Sequence, residues 1–403
     1  MNGLNKKIYF FNIIYNITLS LILYIILKKL NLIKMGIKNL MKVLKEKVSN
    51  SIHDFPIKEL YQKKVAIDTS IVLYQYIIAI RSNGKDLKGP DNKSTSHIHG
   101  IFFKSLNYLR MGIIPVFVFD GKPPELKMKI LNDRSKIKKN AINKLIAIEQ
   151  KKPDYISEIE TLDNTINKLD LEKIKLFKQS VSINHNEMLD AYEIVKLLGI
   201  PAILAPEEAD SQCAFLSINN LVDYIATEDM DLLTFGSKNI LRNFLKKNMF
   251  KIDLATILSD GEINMNQFID ICILLGCDYT ETIDGIGKKK AWDLITKYGS
   301  LEELISKEKK IIQSKYKLPD NFRYEESREY FKNPRHIPVD CLDLELKKPQ
   351  LNKLKKLLIV KYGFNENNIE KSIKFLRKKY NIFDKNYDYK NNNKENKDLF
   401  IDD

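Results

Sequence analysis

Three short apolar runs, each ending in acid and each separated from the next by helical patterns, constrain this chain more than any other feature of its sequence. Residues 64–67 lead into Asp68, residues 113–119 into Asp120, and residues 222–226 into Thr227-Glu228-Asp229-Met230-Asp231. Runs of this length that are mostly apolar, broken only by Lys64 and Asp223 among charged residues, suit strands covered on both faces, and the stretches 70–81 and 97–111 read as helices between them. Repeated βαβ units build a parallel sheet, whose ligands sit beyond the carboxyl ends of the strands. The expected class is α/β, a mostly parallel twisted sheet flanked by helices, with several aspartates aimed at one edge.

More acids follow in the same register of the chain: Glu208 and Asp210 in Ala205-Pro206-Glu207-Glu208-Ala209-Asp210, and Asp278 in Gly276-Cys277-Asp278-Tyr279. Taken singly, each has an ordinary structural explanation. Asp68 before Thr69 and Ser70 reads equally well as a helix cap, and Asp120 before Gly121 as a turn residue. Taken together, anions gathered in one crevice are costly unless cations compensate them. Oxygen ligands with no His or Cys among them suit Mg²⁺ or Mn²⁺, and two such ions can clamp an in-line phosphoryl displacement.

The charge balance points the same way. Lysine and arginine outnumber acids by 66 to 52, a net charge of +14, which favours a polyanionic partner. The four cysteines, Cys213, Cys272, Cys277 and Cys341, have neither zinc-ligand spacing nor disulfide-scaffold density, and read as reduced thiols. Residues 1–34 stand apart: they hold five lysines and no acid, and residues 8–27, though interrupted by Asn12, Asn16, Thr18 and Ser20, are mostly apolar and long enough for one membrane crossing. They are set aside from the fold as a mis-called start or an anchor, with Met35 the expected functional start. Residues 127–180 are dense in charge, with Pro153 dividing two helical runs, and beyond residue 380 the composition turns to Asn, Lys and Asp.

Read in order, Met35-Gly36-Ile37, Val65-Ala66-Ile67-Asp68, Thr95-Ser96-His97, Val118-Phe119-Asp120-Gly121-Lys122-Pro123-Pro124, Thr227-Glu228-Asp229-Met230-Asp231, Cys272-Ile273-Leu274-Leu275-Gly276-Cys277-Asp278-Tyr279 and Gly285-Ile286-Gly287 resemble the flap endonuclease family of structure-specific 5′-nucleases. The resemblance runs from residue 35 to about residue 378. It implies a PIN-like nuclease fold with a helical arch and a helix-hairpin-helix element. The corresponding division is 1–34 extension, 35–142 N-terminal nuclease region, 143–186 arch or spacer, 187–315 internal nuclease region, 316–379 C-terminal part and 380–403 disordered tail.

By the same resemblance, Asp68, Asp120, Glu208, Asp210, Asp229, Asp231 and Asp278 are direct or water-mediated ligands of two Mg²⁺ ions, with Mn²⁺ as a substitute. Lys127 and Arg134 match the basic pair that contacts the scissile phosphate. Tyr74, Arg81, Lys104, Glu208, Gly276, Asp278, Gly285, Gly287, Lys289 and Lys290 are the implied DNA contacts, with K⁺ at the Gly285–Gly287 loop. The implied partner is branched or flapped DNA, and the implied compartment the nucleus, or a mitochondrial or membrane fraction if the N-terminal extension is a real anchor. The implied activity is 5′-flap endonuclease and 5′–3′ exonuclease, in Okazaki-fragment maturation and long-patch base-excision repair.

The chain departs from the family pattern in three ways. Position 210 is Asp where Glu is usual, position 104 is Lys where Arg is usual, and the segment between Lys127 and Glu208 is longer. No sliding-clamp peptide is legible in the tail. A non-catalytic junction-binding protein and a double-strand 5′-exonuclease remain the competing readings.

Overall fold

The computed structural model describes residues 36–81, 87–150, 172, 176, 180–307 and 318–384. The expectations for residues 1–34, for Met35, for Pro153 and for the tail beyond residue 384 fall outside the described residues. Among the described residues no helix is long and apolar enough to cross a membrane.

Seven strands form one mixed sheet in the order β1-β7-β6-β5-β2-β3-β4. They are β1 (Ile52–Asp54), β2 (Lys64–Asp68), β3 (Ile114–Phe119), β4 (Ala202–Leu204), β5 (Tyr224–Ala226), β6 (Asn239–Arg242) and β7 (Phe250–Asp253). The five from β6 to β4 run parallel, and β7 and β1 add an antiparallel edge. The three strands expected from the apolar runs are β2, β3 and β5, at the centre of the sheet.

Each central strand is apolar throughout because each face has its own core. Val65 and Ile67 of β2 pack into one hydrophobic cluster with Phe117 and Phe119 of β3, while Ala66 packs into the other with Val116 and Val118. Successive side chains of a strand point to opposite faces, so both sets must be apolar when helices cover both. The helices Thr69–Arg81, Ser96–Arg110 and His185–Leu197 lie on the first side, and Ala209–Ile218 and Met265–Leu275 on the second.

The chain order fixes where a site can form. From β2 the chain moves to β3 and then β4 on one side, and afterwards returns to lay β5 against the other side of β2. The carboxyl ends of β2 and β5 therefore flank a topological switch point, where the outgoing connections diverge and leave a crevice.

One helix, Met128–Gln150, crosses the boundary expected at 142 and 143. The last described helix, Glu366–Asp384, carries past the boundary expected at residue 380.

Candidate active site

Every acid proposed from the sequence lies at the switch-point edge. Asp68 ends β2, Asp120 follows β3, and Glu208 and Asp210 lie at the start of the Ala209–Ile218 helix after β4. Asp229 and Asp231 follow β5, and Asp278 follows the Met265–Leu275 helix. Asp68, Asp120, Glu208, Asp210, Asp229 and Asp278 line one cleft of about 390 Å³ together with Tyr74, Lys127, Arg134 and Glu207. Asp231 is buried just behind it, 2% exposed.

Two glycines allow the approach of the segments that carry these acids. Gly121 donates its N–H to Glu207 O at 2.5 Å, and a Cβ there would fall 2.0 Å from Ala205 O. This clasp joins the β3 and β4 ends, so that Asp120 Oδ1 accepts from Ala209 N at 2.8 Å. Gly36, at φ +72°, lies against the β5 acids, and a Cβ on it would meet Asp229 Oδ1 at 1.9 Å and Asp231 Oδ1 at 2.8 Å. Only a residue without a side chain fits in that conformation and that space.

Electrostatically the pocket is strained. Burial pushes Asp68, Asp210 and Asp231 well above the usual carboxylate range, and mutual repulsion adds to it: Asp120 and Asp229 act on Asp68, Asp229 and Asp68 on Asp210, and Asp229 and Asp278 on Asp231. Asp229 and Glu208 are raised by burial too, with Lys127 lowering both and an N–H from Asp231 offsetting part of the cost at Asp229. The buried atoms Asp210 Oδ1 and Asp231 Oδ1 have no hydrogen-bond partner among the described residues. Orphaned oxygens among clustered carboxylates fit a hard divalent cation.

Among the described residues, no three His, Cys, Asp or Glu side chains converge tightly enough to grip one ion as they stand. Several of the acids face protein donors instead. Lys127 Nζ bonds Glu208 Oε1 and lies 3.5 Å from Asp278, and Arg134 Nη2 reaches Asp278 Oδ2 at 2.7 Å. Ser70 Oγ donates to Asp120 Oδ2 at 2.5 Å, and Asp231 N donates to Asp229 Oδ1 at 2.9 Å. Burial works against the Lys127 ammonium, but Glu208 and Asp278 outweigh it and hold the lysine firmly protonated. Both expected phosphate-binding cations thus sit at the base of the long Met128–Gln150 helix and inside the acidic cleft.

The expected DNA contacts are more dispersed. Tyr74 lines the cleft but also packs with Ile183 beside Ile77, Ile78 and Val181, so its ring is partly core. Lys104 lies on the far side of Asp68, in a small hollow with Gln75, Glu228 and Lys246; burial and then Lys246 lower its pKa. Gly276 closes the Met265–Leu275 helix at φ +107° and accepts from Lys38 N. Gly285, Gly287, Lys289 and Lys290 form a separate exposed loop, pinned by buried Ile286, ahead of the Ala291–Tyr298 helix. Arg81 ends its helix, and its side chain is outside the described residues.

The structure brings in residues beyond the expected site set, among them Gly36 of the Met35-Gly36-Ile37 motif. Gly36, Ser70 and Glu207 join the site, and Tyr279 and Tyr330 donate to Glu208 Oε2. Glu207 and Tyr279 are sequence neighbours of chosen acids, which is a usable signal. Tyr330 carries none, since it arrives from the distant helix Tyr324–Lys332.

A mixed sheet with acids massed at its switch point, and Lys127 and Arg134 reaching into them from the 3-10 turn and helix that follow Asp120, is the arrangement of a nuclease that acts on phosphodiester bonds. Comparison with known proteins narrows the class. The XPG N-terminal domain model matches residues 35–141 and the XPG I-region model residues 199–278. Flap endonuclease 1 of Brugia malayi is 37% identical over 350 residues, covering 85% of this chain and 87% of its own length. Flap endonuclease 1 of Plasmodium falciparum is 38% identical over 353 residues, covering 82% of this chain and 51% of that longer protein. Among solved structures, flap endonuclease-1 from Methanococcus jannaschii superposes with a TM-score of 0.58 at 26% identity, covering 81% of this chain and 96% of its own. This chain belongs to the flap endonuclease family of 5′-nucleases.

Proposed function

We propose that this chain cuts flapped DNA at a 5′ single strand–duplex junction, as endonuclease and as 5′–3′ exonuclease, using two Mg²⁺ ions held by the acids of the cleft. The carrying observation is the convergence of Asp68, Asp120, Glu208, Asp210 and Asp229 on one cleft with Asp231 buried behind it, two of their oxygens without partners. Divalent ions bound there would supply Lewis-acid activation of water and of the leaving oxygen.

The chain's own groups do the rest. Asp68, Asp229 and Asp231 come from adjacent strand ends and are the acids that would hold the cations. Lys127, in the turn before the Met128–Gln150 helix, and Arg134, on that helix, face the same cleft and would stabilise charge developing on the scissile phosphate. Tyr74, at the cleft wall, offers a ring for the base next to the cut. Gly285, Gly287, Lys289 and Lys290 would meet the duplex backbone, where exposed glycines and a helix N-terminus could admit a phosphate, and the same loop would hold K⁺. Work on replication and repair intermediates, and a nuclear location, accord with this activity.

The decisive experiment is cleavage of labelled double-flap, nicked and Y-shaped DNA in Mg²⁺, with product lengths read to the nucleotide. Cutting at the flap base that disappears in Asp231→Ala, while flap binding persists, is the expected result. Binding without cutting in either Mg²⁺ or Mn²⁺ would replace the nuclease with a non-catalytic junction-binding protein.

A further inference from the structure

Glu208 is the most tethered acid in the cleft. Its Oε1 accepts from Lys127, and its Oε2 accepts from the Tyr279 hydroxyl and, at 3.4 Å, from the Tyr330 hydroxyl. Lys127 and Tyr279 belong to segments that already form the pocket. Tyr330 is 122 residues from Glu208 in sequence and belongs to the Tyr324–Lys332 helix. That helix has anchors of its own: Arg328 reaches the buried Asp270 at 2.7 Å, and buried Phe331 packs edge-on against Phe235 and against Tyr279, each at 5.1 Å between ring centres. The Tyr330 ring is fixed by Tyr279 at 4.8 Å and Phe235 at 5.8 Å.

Packing alone asks nothing of a hydroxyl, and phenylalanine would fill the same space. What the hydroxyl adds is a second donor on one oxygen of a three-torsion side chain. We propose that Tyr330 is a positioning residue for Glu208: with Tyr279 it fixes Oε2, holds the carboxylate in one orientation, and so couples the Tyr324–Lys332 helix to the cation affinity of the pocket. Outer hydrogen-bond partners of ligating carboxylates commonly have this effect. The inference rests on Glu208 being a metal ligand, as proposed above.

The test is Mn²⁺ binding to the full chain without DNA, followed by the electron paramagnetic resonance signal of free Mn²⁺, alongside the melting temperature in EDTA. Tyr330→Phe is expected to weaken Mn²⁺ binding by about tenfold with little change in the EDTA melting temperature. Phe331→Leu, which disturbs the packing and removes no hydroxyl, is expected to lower the melting temperature and leave Mn²⁺ affinity near wild type. Unchanged affinity in Tyr330→Phe, or an equal loss in Phe331→Leu, would overturn the positioning role while leaving the metal pocket standing. A wild-type chain that bound no Mn²⁺ would overturn both.

Discussion

Neutralising Asp231 without changing its shape should make the protein more stable and nearly inactive at once. Asp231 is 2% exposed, its Oδ1 has no partner, and burial followed by Asp229 and Asp278 raises its pKa. At an effective dielectric near 20, two carboxylates about 5 Å apart repel by roughly 3 kcal/mol. Lys127 offsets part of this, so Asp231→Asn should stabilise the fold in EDTA by about 1–3 kcal/mol, or roughly 2–3 °C per kcal/mol. The sign of the pH dependence follows. A carboxyl whose folded pKa is raised contributes stability that is present at low pH and lost as pH rises through the raised value. Wild type in EDTA should therefore lose stability as pH climbs from the ordinary carboxylate range toward neutrality, and Asp231→Asn should flatten that slope. Cleavage moves the opposite way: losing one ligand removes several kcal/mol of transition-state stabilisation, so the single-turnover rate in Mg²⁺ should fall by about three orders of magnitude. Scanning calorimetry in EDTA across pH and quenched-flow cleavage of a double flap read the two effects. A variant that melts lower than wild type in EDTA, or that cuts at the wild-type rate, refutes the picture of an uncompensated metal-binding cluster.

Lys127→Ala should cost about 10²–10³ in single-turnover rate with little loss of flap affinity, and should destabilise the fold in EDTA by about 3 kcal/mol, because Glu208 and Asp278 lose their counter-charge. A deficit confined to DNA affinity in equilibrium titrations would contradict a role at the scissile phosphate. Gly36→Ala places a methyl 1.9 Å from Asp229 Oδ1 at a φ of +72°, and should depress cleavage and Mn²⁺ binding together; a Gly36→Ala enzyme with normal turnover would show that the N-terminal turn can move aside. Replacing the exposed pair Lys289 and Lys290 by alanine should reduce the salt slope of duplex binding by about one unit for every phosphate no longer neutralised, leaving the single-turnover rate of bound substrate unchanged. An unaltered slope would remove that loop from the duplex interface.

The centre of this fold is readable from the sequence, and its margins are not. β2 and β3 stand out because both faces are buried, so their residues form nearly continuous apolar runs, and β5, only three residues long, stands out by the acids that follow it. β1, β4, β6 and β7 span only three or four residues each, too few to show a period, and they are fixed by their partners in the sheet. The acids were legible because strand ends of a parallel sheet aim side chains at one crevice, so Asp68, Asp120 and Asp229 needed no structure to be grouped. The engagement of Lys127 with Glu208 was not, since nothing along the chain states which charge a long side chain will meet. Tyr330 was the least accessible of all, because its partner lies across the molecule and its neighbours, Glu329 and Phe331, read as an ordinary amphipathic helix.

The sheet order also has a consequence for how the protein is made. β1 pairs with β7, Ile52 against Ile252, so the first strand waits for about 200 further residues before its partner exists. At translation rates of roughly 5–20 residues per second that interval is about 10–40 s. β2, meanwhile, has β3 within reach early but stays open on the side that β5 will cover. The acidic cleft takes longer still, since Asp278 and then the Tyr330 hydroxyl arrive only with the last third of the chain. A nascent chain on the ribosome thus carries most of the acids well before the segments that complete their pocket have been made.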